Sequence, residues 1–73
     1  MVRRKTEYLT ATQERILGAI RLAIADQGDA PTVAEIADRV GMRPSSVHYQ
    51  LRELEAKGAI EREPHQPRGI RLA

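Results

Sequence analysis

One glycine constrains this chain more than any other residue. Residues Pro31 to Gly58 read PTVAEIADRVGMRPSSVHYQLRELEAKG, and Gly41 divides them into two apolar patterns. Val33, Ile36, Ala37 and Val40 precede it; Val47, Leu51 and Leu54 follow. Spacings of three and four place each set on one face of a helix. Gly41 is placed to stop the first helix in a left-handed turn. Pro44 suits the first turn of the next, where its missing N–H would be unpaired anyway. Gly41-Met42-Arg43 is the turn, so the two helices are predicted to be held at a fixed angle.

A third helix is predicted upstream. Thr10 is followed by Gln13 in the capping-box arrangement, in which each side chain satisfies an orphan backbone N–H of the first turn. Gln13, Ile16, Leu17, Ile20, Ala23 and Ile24 form its stripe, and Gly28 ends it. Leu22 falls off the stripe, as a lone exposed leucine or a partner contact. Thr32 and Glu35 repeat the capping box at the start of the second helix. After Gly58 the period changes to alternation, in Ala59-Ile60-Glu61-Arg62 and again in Gly69-Ile70-Arg71-Leu72. Two alternating runs across the six-residue loop Glu63–Arg68 predict an antiparallel hairpin. It is expected to pack Ile60, Ile70 and Leu72 onto the helices. The fold class is therefore mainly α with a small β-hairpin: a winged helix-turn-helix of three helices and a two-stranded wing. Residues 1–9 lack a period and are expected to form a flexible basic arm, with the folded domain at 10–73.

The chain has 73 residues, enough for one small domain, and 41% are apolar, enough for a folded core. With no Phe or Trp, and only Tyr8 and Tyr49 as aromatics, that core must be aliphatic. The absence of cysteine excludes disulfides and thiolate metal sites. The longest apolar run, around Ile16 to Ala25, is broken by Arg21 and is too short to cross a membrane. A cytoplasmic, nucleoid-associated protein is expected. The net charge of +2 is small, and its distribution says more. Arg3, Arg4 and Lys5 crowd the start, the Asp29–Asp38 stretch is acidic, and positive charge returns in the third helix and the wing. A nucleic-acid surface needs such clustering.

With Val47, Leu51 and Leu54 facing inward, Ser45, Ser46, His48, Tyr49 and Arg52 are left on the polar side of the third helix. The first turns of a recognition helix meet base edges in the major groove. Arg bonds the guanine acceptors in pairs, Ser bonds either partner, and Tyr offers a ring and a hydroxyl. Thr32 and Arg43, at the two helix starts, join this surface. In the loop, Pro64 and Pro67 lower the entropy lost on ordering against a phosphate backbone or minor groove. Arg62, His65, Gln66 and Arg68 are its candidate contacts. The basic arm would add affinity without specificity. His48 and His65 sit in different elements with no Cys or carboxylate at ligand spacing, so no metal or cofactor is expected. No nucleophile–base set and no glycine-rich phosphate loop occurs, and the chain is expected not to be an enzyme.

Several stretches resemble the N-terminal DNA-binding domain of the LexA family of SOS-response repressors. They are LTATQERIL, APTVAEIADRVG, SSVHYQLRELEAKGAIERE and PHQPRGIRL, spanning Leu9 to Leu72 and closest to the Gram-positive and actinobacterial form. The final RGIRL is the most specific piece. The resemblance implies repression by binding double-stranded DNA at a pseudo-palindromic operator, with a weak homodimer forming there. It puts base reading on Ser45, Ser46, His48 and Tyr49, and wing contacts near His65, Gln66 and Arg68. Two departures stand out. The turn after Gly41 is one residue shorter than is usual in the family. The family's second half, with its serine–lysine dyad and most of its dimer contact, falls outside these residues, which also contain no Ala-Gly cleavage dipeptide. Self-cleavage and inducer response are therefore not carried over. The sequence is expected to be an excised domain or a free-standing small protein. A protein-interaction adaptor, using Leu22 and the acidic Asp29–Asp38 segment, is the alternative to DNA binding.

Overall fold

Both predicted capping boxes form. In the computed structural model, which describes residues 8–73, Thr10 Oγ1 accepts the Gln13 N–H at 3.1 Å and Gln13 Oε1 accepts the Thr10 N–H at 3.0 Å. They open α1, Ala11–Gln27. Thr32 and Glu35 make the same two bonds, at 3.1 and 3.0 Å, and open α2, Val33–Val40. Each box satisfies N–H groups that the helix itself leaves without partners.

The ends follow the glycines. Gly28 and Gly41 adopt φ of 74° and 72°, a left-handed conformation that costs glycine little. At Gly41 the chain leaves α2, and the N–H groups of Gly41 and Met42 both donate to the Ala37 carbonyl. Three residues, Gly41 to Arg43, separate α2 from helix α3, Pro44–Ala56. It finishes with Gly58 N–H donating to the Glu55 carbonyl at 3.0 Å and Ala59 N–H to the Leu54 carbonyl at 2.9 Å. Those are the two bonds of a Schellman motif, and they aim the chain into the hairpin. Strands β1, Ile60–Arg62, and β2, Ile70–Leu72, pair antiparallel with Ile60 opposite Leu72 and Arg62 opposite Ile70.

The core is aliphatic, as the composition requires. Ile16, Leu17 and Ile20 of α1 meet Ile36, Ala37 and Val40 of α2, Val47, Leu51 and Leu54 of α3, and Ile60 and Ile70 of the wing. Three alanines that periodicity did not single out, Ala19, Ala30 and Ala59, are buried among them. Ile24 and Val33, predicted on the apolar stripes, are half-buried at the margin. Leu9, assigned to the arm by sequence, is also half-buried against this core. Arg3, Arg4 and Lys5 lie outside the described residues.

Leu72 corrects the prediction for the wing: it is 40% exposed. Its register opposite Ile60 places it on the inward face, since cross-strand partners share a side. It lies, however, at the open end of the hairpin, on the strand farther from the helices. Alternation selects the face of a strand but not how far along it the helices provide cover. Leu22 is 60% exposed on α1, off the stripe as expected.

Candidate nucleic-acid interface

Helix α3 divides its residues cleanly between two faces. Val47, Leu51 and Leu54 are fully buried, and this anchors the rotation of the helix about its axis. Ser45, Ser46, His48, Tyr49 and Arg52 consequently face solvent, as does Arg43 at its N-cap. Tyr49 is 59% exposed in a domain with only two tyrosines and no other aromatic. The Arg43 side chain makes no cap hydrogen bond, and Pro44 occupies the first turn. The first-turn N–H groups are thus left without a side-chain acceptor, which is where a helix receives an anion.

The wing is built rather than loose. Glu63 N–H donates to the Gly69 carbonyl at 2.8 Å, and Gly69 N–H donates to the Gln66 carbonyl at 3.1 Å. A Cβ at Gly69 would come within 2.7 Å of the Glu63 carbonyl oxygen, so the turn needs glycine for close backbone approach. His65 has φ of 64°, an uncommon conformation for a residue with a side chain. Between wing and helices runs a groove of ≈ 650 Å³. One wall is Thr32, Val33 and Ala34 with His48 and Glu55 of α3; the other is the wing from Arg62 to Pro67. The fold therefore brings Thr32, His48, Arg62, His65 and Gln66 to one groove. Arg43, Ser45, Ser46, Tyr49 and Arg52 sit beside it on exposed α3 surface. Glu55 and Glu63 also line the groove, so its charge is mixed.

Arg68 behaves differently from the other wing residues. Its guanidinium turns back to the body of the domain, where Nη1 and Nη2 donate to Glu35 Oε1 and Oε2, both at 2.8 Å. Nη1 also donates to the Ala30 carbonyl at 3.0 Å. These hydrogen bonds lower the Glu35 carboxyl from its ordinary 4.5 to about 2; Arg68 is the larger cause, and the Thr32 N–H adds to it. The guanidinium is in turn held more firmly protonated by Glu35.

Sequence reasoning identified Glu35 as a capping residue but missed its second partner, 33 positions away. It also missed two further supports of α3 and its turn. Arg15 Nη2 donates to the Val40 carbonyl at 2.7 Å, closing the C-terminal end of α2. Gln13, 4% exposed, donates to Gln50 Oε1 at 3.1 Å and accepts from Lys57 Nζ at 2.7 Å. No local signal marks such pairings. Only the buried side of α1 on which Gln13 falls hinted at a structural role.

Among the described residues no group of three or more His, Cys, Asp or Glu is arranged to hold a metal ion. No helix among them is long and apolar enough to cross a membrane.

Comparison with known proteins agrees with this geometry. Residues 6–69 match the family described as the LexA DNA binding domain. The chain is 47% identical over 70 residues to a LexA repressor of Magnetococcus marinus, covering 96% of this chain and 30% of that protein. It is 49% identical over 65 residues to one of Methylococcus capsulatus, covering 88% of this chain and 32% of the relative. It is 45% identical over 65 residues to one of Mycobacterium leprae, an actinobacterium, covering 88% and 28%. The chain thus spans less than a third of the length of these relatives. Three helices ending in an antiparallel wing, and a match that runs from the residues before α1 to the base of β2, lead to one conclusion: the chain belongs to the LexA DNA-binding domain family.

Proposed function

We propose that this domain reads double-stranded DNA as the operator-binding part of a LexA-like transcriptional repressor, acting by binding and not by catalysis. The observation that carries the reading is the exposed face of α3, Ser45, Ser46, His48 and Tyr49, set beside a structured wing in a chain of this family. In this reading α3 enters the major groove with its first turns, and its open N-terminus meets a phosphate. Wing residues Arg62, His65 and Gln66 follow the backbone or minor groove, and the arm with Arg3, Arg4 and Lys5 adds sequence-independent attraction. Two copies occupy the two half-sites of a palindrome. One domain on one half-site binds weakly, and the pair gains from simultaneous engagement. A place in the SOS response, which follows from the LexA family name, belongs to the same proposal.

The test is fluorescence anisotropy with a labelled duplex carrying a LexA-type palindrome, against a scrambled duplex of equal length, at two salt concentrations. Preference for the palindrome, with affinity falling steeply as salt rises, is the expected result. Tyr49→Ala should then change base preference at particular positions of the site. Equal loss on palindrome and scrambled duplex would remove base reading from α3. No binding at low salt would overturn the DNA reading and leave a protein partner at Leu22 and the acidic Asp29–Asp38 surface.

A further inference from the structure

The two walls of the groove belong to different parts of the chain. One is α2 and α3; the other is the wing, which the backbone joins to α3 through Gly58 and β1. A two-stranded hairpin of three-residue strands is marginal by itself. Ile60 and Ile70 seat its base in the core, while its exposed tip beyond Arg62 has no apolar anchor there. Among the described residues, every hydrogen bond joining the wing to α2 or to the linker before it comes from Arg68. Its fork spans both oxygens of Glu35 and reaches the carbonyl of the buried Ala30. Glu35 is itself held in place, because Oε1 also accepts the Thr32 N–H of the capping box. Arg68 is followed by Gly69, which is buried and closes the wing turn. The guanidinium thus grips the base of the wing and leaves His65 and Gln66 at the exposed tip.

We propose that Arg68 is a positioning residue: through Glu35 and the Ala30 carbonyl it sets the wing against the N-terminus of α2, and so sets the width of the groove that receives DNA. The inference rests on the DNA-binding reading above and deepens it. It separates Arg68 from the other basic residues of the interface, whose charge would act on phosphate directly. It also gives Glu35, an acidic residue on a DNA-binding domain, a reason to be there.

The sign of one substitution separates the two roles. Glu35→Gln keeps a side-chain acceptor for the capping box, as Gln13 does in α1, but loses the charge and the second carboxylate oxygen that Arg68 grips. Removing a negative charge should, on electrostatics alone, tighten binding to any DNA. The clamp predicts the opposite on the specific site: Glu35→Gln and Arg68→Lys each weaken binding to the palindrome by about tenfold, within the range found for coupled pairs. The double variant is then no worse than either single change. Lysine retains the charge but cannot span two oxygens and a carbonyl at once. The clamp also predicts that, in the free variants, 15N relaxation shows the amides of His65, Gln66, Arg68 and Gly69 losing order on the ps–ns scale while those of α3 do not.

Palindrome binding by Glu35→Gln equal to or tighter than that of the parent domain would overturn the proposal. So would losses in Arg68→Lys that are equal on scrambled DNA, the mark of a phosphate contact. Failure of the parent domain to prefer the palindrome is a failure of the DNA reading, and the relaxation measurement then decides the clamp alone. Looser wing amides in both variants support it; unchanged order overturns it.

Discussion

Thr10 with Gln13 and Thr32 with Glu35 are the same local motif put to different tertiary uses. Each starts a helix with the same pair of bonds at nearly the same distances. Gln13 lies inside, 4% exposed, and ties the chain before α1 to the middle of α3 through Gln50 and to its C-cap through Lys57. Lys57 extends this link to the Tyr8 carbonyl at 2.7 Å. Glu35 lies at the surface and ties α2 to the wing through Arg68. The identity of the third residue in each box fits its place. A buried carboxylate is costly to desolvate, whereas a neutral amide both donates and accepts there. At the surface a carboxylate keeps its hydration and offers two oxygens to a guanidinium fork. A capping box therefore specifies a helix start, and its outward-reaching atoms are free to be recruited by whatever the fold brings near.

Both networks depend on the aliphatic core beneath them. Leu51 is fully buried and belongs to the helix that both networks support or face. Leu51→Ala should cost about 2–5 kcal/mol, enough to leave so small a domain largely unfolded, and urea titration followed by circular dichroism should show it. Next comes the inner box. Gln13→Ala leaves the Thr10 N–H, Lys57 and Gln50 without their partner and should cost about 1–3 kcal/mol. In a domain of this size each kcal/mol lowers Tm by about 4–8 °C, which calorimetry resolves. Thr32→Ala removes the cap of the outer box and should cost about 1 kcal/mol, with α2 amides exchanging faster while α1 is unaffected.

The smallest effect is also the sharpest. Only the outer box titrates. Because its folded pKa is depressed, Glu35 contributes stability that is complete above about 4.5 and is lost as pH falls towards about 2. Acid titration followed by NMR should therefore move the wing amides of Gln66, Arg68 and Gly69 across that window and leave the Gln13 network still. Glu35→Gln should abolish the transition. A wing that moves identically in that variant would show that another group controls it.

Much of this architecture is legible in 73 residues because the signals are local. A threonine three residues before a Gln or Glu, a glycine at a helix end, and a switch from helical to alternating period each act within one turn or one strand. Those signals placed all five elements and the inward residues of α3, and with them the outward Ser45, Ser46, His48, Tyr49 and Arg52. Leu72 escaped because alternation carries no information about where the helix layer stops. Arg68 escaped for a different reason. In sequence it is one more basic residue in a loop with His65 and Gln66, and nothing nearby distinguishes it from them.

By itself, the sequence determined the elements, their ends, the face each presents and the family to which they belong, since helix starts, stops and periodicities depend on neighbours a few residues apart. Only the tertiary structure decided what those faces and caps touch. Arg68 meets Glu35, and Gln13 meets Gln50 and Lys57, because packing α1, α2 and α3 around one aliphatic core brings together groups 33 or more positions apart. Which side chains of the wing and helices stay exposed and which are drawn into bonds with a distant element is set by that proximity, which composition and spacing along the chain do not encode.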